Sequence, residues 1–260
     1  VASRHARIRD PEMREYVEKH LAKQWSPEQI AGRAKRKRIG KVSHETIYQY
    51  IYDQKDPKRR KELIACLRRA HRRRKPRRAG RHDRRGKIPN RTPLTERPAE
   101  AATRRRKGHW EGDTMVSQQS KASLKVMVER KSRLTRIKRL ARRTKELVTA
   151  ATVSILMDYP CGLRRTLTLD NGLEYAGHED ITKATEVQCF FTRPYTSWEK
   201  PVVENTNGLI REYFPKRTDF NKVSDDEVQF VEDRLNDRPR KCLGFRTPNE
   251  AFYPSVALRG

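Results

Sequence analysis

Apolar residues near the start of the chain recur at the spacing of an α-helix. Met13, Val17 and Leu21 are four positions apart within residues 11–23. Side chains at this spacing lie along one face of a helix. The pattern therefore predicts an amphipathic helix that buries this face.

Capping residues indicate two further helices. Ser26 can cap a helix whose first residue is Pro27, and Gln29 completes a capping box, so we expect a helix from there to about residue 36. Ser43 is a second N-cap candidate, and it precedes an apolar face that carries Ile47. The first part of the chain therefore predicts three short helices.

The second and third helices are separated by a turn that contains Gly40, which is typical of a helix-turn-helix. In that motif the N-terminal residues of the second helix enter the major groove of DNA. The candidates for base contacts are Ser43, His44, Thr46 and Gln49. Because any small three-helix bundle has the same spacing, the pattern alone leaves both interpretations open.

From His109 onward, the pattern changes to short strands interleaved with helices. The predicted strands are 109–116, 124–129, 134–140, 166–170 and 187–192, and the longer predicted helices are 144–157, 202–214 and 224–235. A short connection around Ser132 makes the second and third strands a hairpin. This order predicts an α/β fold of the RNase H-like, retroviral-integrase-like class, with a five-stranded mixed sheet and flanking helices.

Charge divides the chain at about the same place. Residues 1–108 carry 35 Lys and Arg against 12 Asp and Glu, whereas residues 109–260 carry 26 against 21. The formal net charge of +28 indicates a polyanionic partner. We therefore expect three parts, namely a helix-turn-helix DNA-binding domain over 1–67, a basic extended linker over 68–107 and an RNase H-like catalytic domain over 108–260.

The linker prediction depends on 18 basic residues among 40, interrupted by prolines and glycines that oppose helix formation. Such a segment can lie along a phosphate backbone and release counterions. The candidate phosphate contacts are Arg72, Arg73, Arg74, Arg77 and Arg78. A solvated tether without any binding role is the alternative interpretation.

The cysteines and the apolar runs of the sequence indicate the cellular compartment of the protein. The four cysteines lack zinc-ligand spacing, so we expect them to be reduced and structural. No apolar run approaches the roughly 20 residues that span a bilayer, so we expect a soluble chain without a membrane partner. Together with the basic charge, this favours the bacterial cytoplasm, at the nucleoid.

Three acidic residues fall on different predicted elements where an RNase H-like fold needs them. Asp113 lies in the first strand, Asp170 ends the fourth strand, and Glu204 lies on the helix after the fifth. Carboxylates are the ligands that Mg²⁺ prefers, and two such ions stabilise both oxygens in a phosphodiester exchange. We therefore predict these three as catalytic metal ligands for two Mg²⁺ per site, for which Mn²⁺ can substitute.

Two residues follow Glu204 on the same predicted helix face. Asn207 and Arg211 are three and seven positions further along, so they face the same side of the helix. We expect both to contact DNA, together with Trp198, which precedes this helix.

Five separated motifs resemble those of the transposases of the insertion sequence 30 family. They are Gly108-His109-Trp110-Glu111-Gly112-Asp113, Asp170-Asn171-Gly172-x-Glu174, Pro194-Tyr195-x-Ser197-Trp198, the run from Glu204 to Arg211, and Leu235-Asn236-x-Arg238-Pro239-Arg240-Lys241. The resemblance extends back through the segments at Trp25 and Ser43, so it covers nearly the whole chain. It implies a DDE transposase in which Asp113, Asp170 and Glu204 bind the metal ions.

The resemblance also implies partners. A transposase of this family would bind double-stranded DNA, namely the terminal inverted repeats of its element and a target, and would cut and join strands. Because two ends must be held together, a homodimer or larger assembly on DNA is implied.

The sequence departs from the family in two places. Family members often carry a further helix-turn-helix upstream, whereas this chain begins at Val1, so we expect its recognition of terminal repeats to be incomplete. After Trp198 the family usually has Gln-Arg-Gly, whereas this chain has Glu199, Lys200 and Pro201, which predicts a stiffer loop before Glu204.

Two other functions stay open at this point. A non-catalytic DNA-binding repressor would need only the basic first half of the chain. A nuclease or junction resolvase on the same fold would use the same carboxylates but would not join strands.

Overall fold

The computed structural model describes residue 8 and residues 10–67, 88–194 and 196–253. These residues form two compact units. The helical unit contains the described residues up to 67 together with residues 237–253, and the sheet unit contains residues 88–236. The candidate linker contacts Arg72, Arg73, Arg74, Arg77 and Arg78 lie outside the described residues.

The elements of the described residues are as follows. The α-helices are α1 (Pro11–Ala22), α2 (Pro27–Lys37), α3 (His44–Tyr52), α4 (Pro57–Ala65), α5 (Ala99–Thr103), α6 (Lys145–Met157), α7 (His178–Thr185), α8 (Pro201–Tyr213), α9 (Asp225–Asn236) and α10 (Pro248–Phe252). The strands are β1 (His109–Val116), β2 (Ser123–Glu129), β3 (Thr135–Leu140), β4 (Thr166–Leu169) and β5 (Gln188–Phe191).

The second and third helices begin where their caps predict. The Ser26 hydroxyl accepts from the Gln29 backbone N–H at 3.3 Å, and the Gln29 side chain accepts from the Ser26 N–H at 2.9 Å, which completes the predicted capping box. The Ser43 hydroxyl accepts from the Thr46 N–H at 3.0 Å and caps α3. Both helix starts are therefore confirmed.

The helical unit encloses an apolar core. Val17, Leu21, Ile30, Ile47 and Ile51 are fully buried in it. Full burial of one such side chain contributes about 1.5–3 kcal/mol to folding. The fourth helix, α4, was not predicted, because Leu63 is its single fully buried residue and one position makes no stripe.

The sheet has the strand order β3-β2-β1-β4-β5. Strand β2 is antiparallel to both β1 and β3, whereas β4 pairs in parallel with both β1 and β5. This mixed five-stranded order with flanking helices is that of an RNase H-like fold, which confirms the predicted fold class. Its core lies between β2 and the helices α8 and α9, where Val126, Val203 and Leu235 are buried.

Residues 88–107 differ from the extended linker predicted for 68–107. Ile88 and Ala101 are buried in the sheet unit, and the N–H of Phe191 at the edge strand β5 donates to the Thr92 carbonyl at 2.9 Å. The Arg97 guanidinium donates to the Thr168 hydroxyl at 2.9 Å. Prolines exclude a long helix here, but they permit α5 and a packed edge.

Residues 237–253 differ from the predicted 108–260 boundary, because they belong to the helical unit. Arg33 donates to the Phe245 carbonyl at 3.1 Å, and Lys241 pairs with Glu28 at 2.5 Å. A carbon at the β position of Gly32 would lie 2.4 Å from the Phe245 ring, so only glycine admits this ring against α2. The helical unit is therefore built from two distant segments of the chain.

Candidate active site

Strand pairing brings two of the three predicted carboxylates together. Glu111 of β1 and Thr168 of β4 are register partners in the parallel pair. Asp113 and Asp170 each follow two residues later, so they reach the same end of adjacent strands. Glu204, on α8, lines the same cleft, which has a volume of about 310 Å³. The fold therefore gathers all three predicted residues around one cleft.

A lysine that the sequence analysis assigned no role lies between the two aspartates. The Lys200 ammonium is 3.2 Å from Asp113 Oδ1, 2.9 Å from Asp170 Oδ2 and 3.1 Å from the Gly112 carbonyl oxygen. Its side chain is only 4% exposed. Lys200 directly precedes α8, one turn before Glu204, and this spacing is the sequence signal that could have found it.

These charges hold one another ionised. Burial by itself would raise the pKa of Asp170, but the nearby Lys200 ammonium and the Gly172 N–H outweigh it, so this pKa lies below its ordinary value. Burial would lower the pKa of Lys200, but Asp113 and Asp170 outweigh it and raise this pKa. Asp170 is thus held as a carboxylate and Lys200 as an ammonium.

Asn207 links α8 to the same aspartate. Its side-chain amide donates to Asp113 Oδ2, while Lys200 holds Oδ1. Both carboxylate oxygens of Asp113 are therefore fixed, one by a residue of α8 and one by the residue that precedes it. The predicted DNA contact of Asn207 is untested, and its position in the structure is that of an orienting neighbour of Asp113.

A buried glutamate fixes the start of α8. Glu111 is fully buried, and its Oε2 accepts the backbone N–H groups of Val202 and Val203 at 2.8 and 2.9 Å. Its Oε1 accepts from Arg130 Nε at 2.9 Å. The first N–H groups of a helix lack partners within the helix, so an anion here both satisfies them and favours the helix dipole. Glu111 thereby positions the turn that carries Lys200.

A second buried lysine lies beneath the cleft. Lys125 of β2 is fully buried, with its ammonium 3.4 Å from the Tyr175 hydroxyl and 4.5 Å from the centre of that ring. Burial first, and then the charge of Lys200, lowers the pKa of Lys125 to about 8. The Tyr175 hydroxyl is in turn 2.9 Å from that of Thr114, next to Asp113. Sequence periodicity gave no sign of this cluster.

Trp198 and Arg211, the other two residues of the sheet unit predicted to contact DNA, differ in their exposure and in their bonds to the protein. Trp198 is 63% exposed, in a single 3₁₀ turn over Ser197–Glu199. Arg211 donates to the Val116 carbonyl at 2.9 Å, and its guanidinium lies over the Phe220 ring at 5.6 Å. Its guanidinium therefore already has partners within the protein. Trp198 has the exposure that a nucleic-acid contact needs, whereas Arg211 is held by the backbone.

The four candidates in the helical unit are the N-cap residue of α3 and three residues of that helix. His44 and Gln49 are exposed. Ser43 is committed to its cap, and its hydroxyl is 2.8 Å from that of Thr46. His44 and Gln49 are therefore the better placed of the four for contacts with a ligand.

Within the described ranges, no three His, Cys, Asp or Glu side chains come close enough to hold a metal ion. Asp113, Asp170 and Glu204 thus line one cleft without forming such a three-residue group. In the same ranges, no helix is both long and apolar enough to cross a membrane.

Comparison with known proteins identifies relatives along most of the chain. It is 40% identical over 243 residues to the transposase of insertion sequence element IS4351 from Bacteroides fragilis, covering 93% of this chain and 73% of that one. It is 39% identical over 245 residues to the transposase of IS1086 from Cupriavidus metallidurans, covering 93% and 72%. The transposase InsI of IS30A from Escherichia coli K12 is 40% identical over 252 residues, covering 95% and 66%. No family model matches the chain.

Solved structures give more distant matches. The catalytic core of BIV integrase aligns with a TM-score of 0.46 at 20% identity, covering 58% of this chain and 96% of that one. A simian T-cell lymphotropic virus intasome chain aligns with a TM-score of 0.47 at 17% identity, covering 85% and 70%.

The RNase H-like sheet, with a cleft lined by Asp113 of β1, Asp170 after β4 and Glu204 of α8, is that of a polynucleotidyl transferase of the DDE type. The relatives at about 40% identity specify the group within that class. The chain belongs to the insertion sequence 30 family of transposases. DNA is therefore its substrate, and a divalent metal ion is the general requirement of such enzymes.

Proposed function

We propose that the sheet unit cuts DNA at the ends of an insertion element and joins the freed 3′ ends to target DNA, with Asp113, Asp170 and Glu204 as the catalytic residues. The observation that carries this proposal is the convergence of two carboxylates and the Gly112 carbonyl on one positive charge. Three oxygen atoms that already surround a cation suit a hard divalent metal ion.

The donor set favours Mg²⁺, with Mn²⁺ as a substitute, because oxygen ligands dominate the cleft and sulfur and imidazole ligands are missing from its described lining. Asp113 and Asp170 would share one ion, and Glu204 would complete the ligands of a second. When bound, two such ions stabilise the attacking and leaving oxygens of the phosphodiester. Asn207 holds Asp113 in one orientation for this purpose.

The helical unit is proposed to read the terminal inverted repeats. The exposed side chains of His44 and Gln49 at α3 would contact base edges, and the basic segment with Arg72, Arg73, Arg74, Arg77 and Arg78 would contact phosphates. Because transposition joins two ends, the active form is proposed to be a homodimer or a larger assembly on DNA, at the nucleoid in the bacterial cytoplasm.

The test is incubation of the chain with DNA that carries candidate element ends and Mg²⁺, scoring nicked and joined products separately. We expect both products, and neither with Asp113→Asn, Asp170→Asn or Glu204→Gln, since each removes a ligand charge at nearly constant shape. Each variant should still bind end DNA. Nicking without joining would favour a nuclease or resolvase, and binding without nicking would favour a repressor.

A further inference from the structure

The Lys200 ammonium has no hydrogen left for another partner. A lysine carries three donors, and here they reach the Gly112 carbonyl, Asp113 Oδ1 and Asp170 Oδ2. The residue is 3% exposed, so water does not replace these contacts. Lys200 is therefore a built-in counter-ion of the aspartate pair.

The same oxygen atoms are those that the proposed metal ion needs. Two carboxylates at one point repel each other unless a cation lies between them. A divalent ion and an ammonium cannot both lie among these oxygens, since their mutual repulsion is large at such short range. Binding of the metal ion therefore requires that Lys200 leave.

Lys200 has the freedom to leave. Only its side chain needs to move, because Lys200 is the N-cap residue of α8 and its carbonyl accepts from the Glu204 N–H at 3.2 Å, while its flexible four-carbon stem carries a compact charge. The cleft that Lys200 lines also takes in Asp113, Asp170 and Glu204, so a DNA phosphate at the proposed site would lie within reach of a displaced ammonium.

We propose that Lys200 is a positioning residue that holds Asp113 and Asp170 together in the metal-free protein and competes with the divalent cation for them, until a DNA phosphate offers the ammonium another partner. The proposal rests on the metal site proposed above. It makes metal binding weak in the absence of DNA and stronger in its presence, because DNA relieves the competition. Without DNA, the protein would thus keep its proposed active site largely free of metal.

The test measures Mn²⁺ binding to the full chain without DNA, by electron paramagnetic resonance, for the parent, Lys200→Met and Lys200→Arg. Removal of the competing charge should tighten binding by roughly tenfold or more in Lys200→Met. Lys200→Arg keeps the charge, so its affinity should stay close to that of the parent. Lys183→Met, at an exposed lysine on α7, is the matched control and should not change it.

A second measurement covers folding of the variant. Without Mn²⁺, Lys200→Met should unfold at a lower temperature than the parent, because two carboxylates lose their counter-ion, and Mn²⁺ should raise its Tm more than that of the parent. Adding end DNA should tighten Mn²⁺ binding in the parent by a larger factor than in Lys200→Met.

Asp170→Asn separates the two proposals. If the parent binds Mn²⁺ and Asp170→Asn does not, the metal site stands, and an affinity in Lys200→Met equal to or weaker than that of the parent overturns the role of Lys200. If Mn²⁺ binding is unaffected by Asp170→Asn, the metal site itself is overturned, and the role proposed for Lys200 is overturned with it.

Discussion

Arg33 of α2 and Glu250 of α10 are 217 positions apart in the chain and form a two-pronged ion pair. Arg33 Nη1 is 2.7 Å from Glu250 Oε2, and Nη2 donates to Oε1. Both side chains are largely buried, at 10% and 20% exposed. Paired bonds of this kind fix direction as well as distance. The pair holds α10, the last helix of the described residues, against the helix that precedes the proposed DNA-reading helix.

We expect Glu250→Gln to destabilise the helical unit by about 1.5–3 kcal/mol, since it leaves the Arg33 charge without its partner. The hydrogen bond from Arg33 is the main cause that lowers the pKa of Glu250 below its ordinary 4.5. The pair therefore stabilises the fold above that ordinary value, and its contribution is lost as pH falls through the lowered pKa. Thermal unfolding from pH 7 to pH 3 should show the gap in Tm between parent and variant closing. A gap that stays constant would contradict this.

Glu111→Gln should cost about 3 kcal/mol of stability, because it removes a buried charge that Arg130 and the first N–H groups of α8 share. Since α8 carries the cleft residues, strand joining should fall by a larger factor than DNA binding. Urea unfolding and the joining assay measure the two effects. Glu186→Gln, at an exposed glutamate at the end of α7, is the control and should stay within about 0.5 kcal/mol of the parent. Equal losses of binding and joining would assign Glu111 a purely structural role.

Gln49→Ala should weaken binding to the cognate element end by about 1–3 kcal/mol while changing binding to random duplex much less, because base contacts specify and phosphate contacts only position. Competition binding at one fixed salt concentration separates the two DNAs. Ser43→Ala is the contrasting variant, since it removes a helix cap and should weaken binding to both. Equal loss on both DNAs for Gln49→Ala would make α3 a scaffold rather than a reader.

Replacing Arg72, Arg73, Arg74, Arg77 and Arg78 with glutamine should flatten the salt dependence of DNA binding. Each phosphate contact adds about −0.9 to the slope of the logarithm of the binding constant against the logarithm of the salt concentration. Loss of four contacts would therefore make this slope less steep by about 3.6. Sequence preference should survive, because these contacts carry no base information. A slope equal to that of the parent would show that these arginines do not touch phosphates.

The fold was predictable from the sequence because strands and capped helices leave local signals. Ser26 and Ser43 each cap a helix by accepting from a backbone N–H three residues further along, so the signal for each helix start is local. The alternating strands before α6 form the antiparallel part of the sheet. Asp113, Asp170 and Glu204 were found through the predicted elements and the family motifs. Their placement around one cleft agrees with that prediction, while their roles as metal ligands remain proposals.

The burial of other charged residues at the site left no local signal. Lys200, Glu111 and Lys125 are charged residues whose burial depends on partners 50 to 92 positions away. Charged residues are ordinarily exposed, so no periodic pattern distinguishes these three from the surface. The same applies to residues 237–253, which join the helical unit through single contacts such as Arg33 with Glu250 rather than through an apolar stripe.

Building the helical unit from two distant segments sets an order of events during synthesis. A ribosome produces α1 to α4 first, then all of the sheet unit, and only afterwards the residues that supply Phe245 and Glu250. Domains generally fold as their chain emerges, so the sheet unit can fold while the helical unit still lacks its last piece. A nascent chain released before Phe245 and Glu250 are made would carry all the cleft carboxylates in its sheet unit, while its helical unit would lack the second of its two segments.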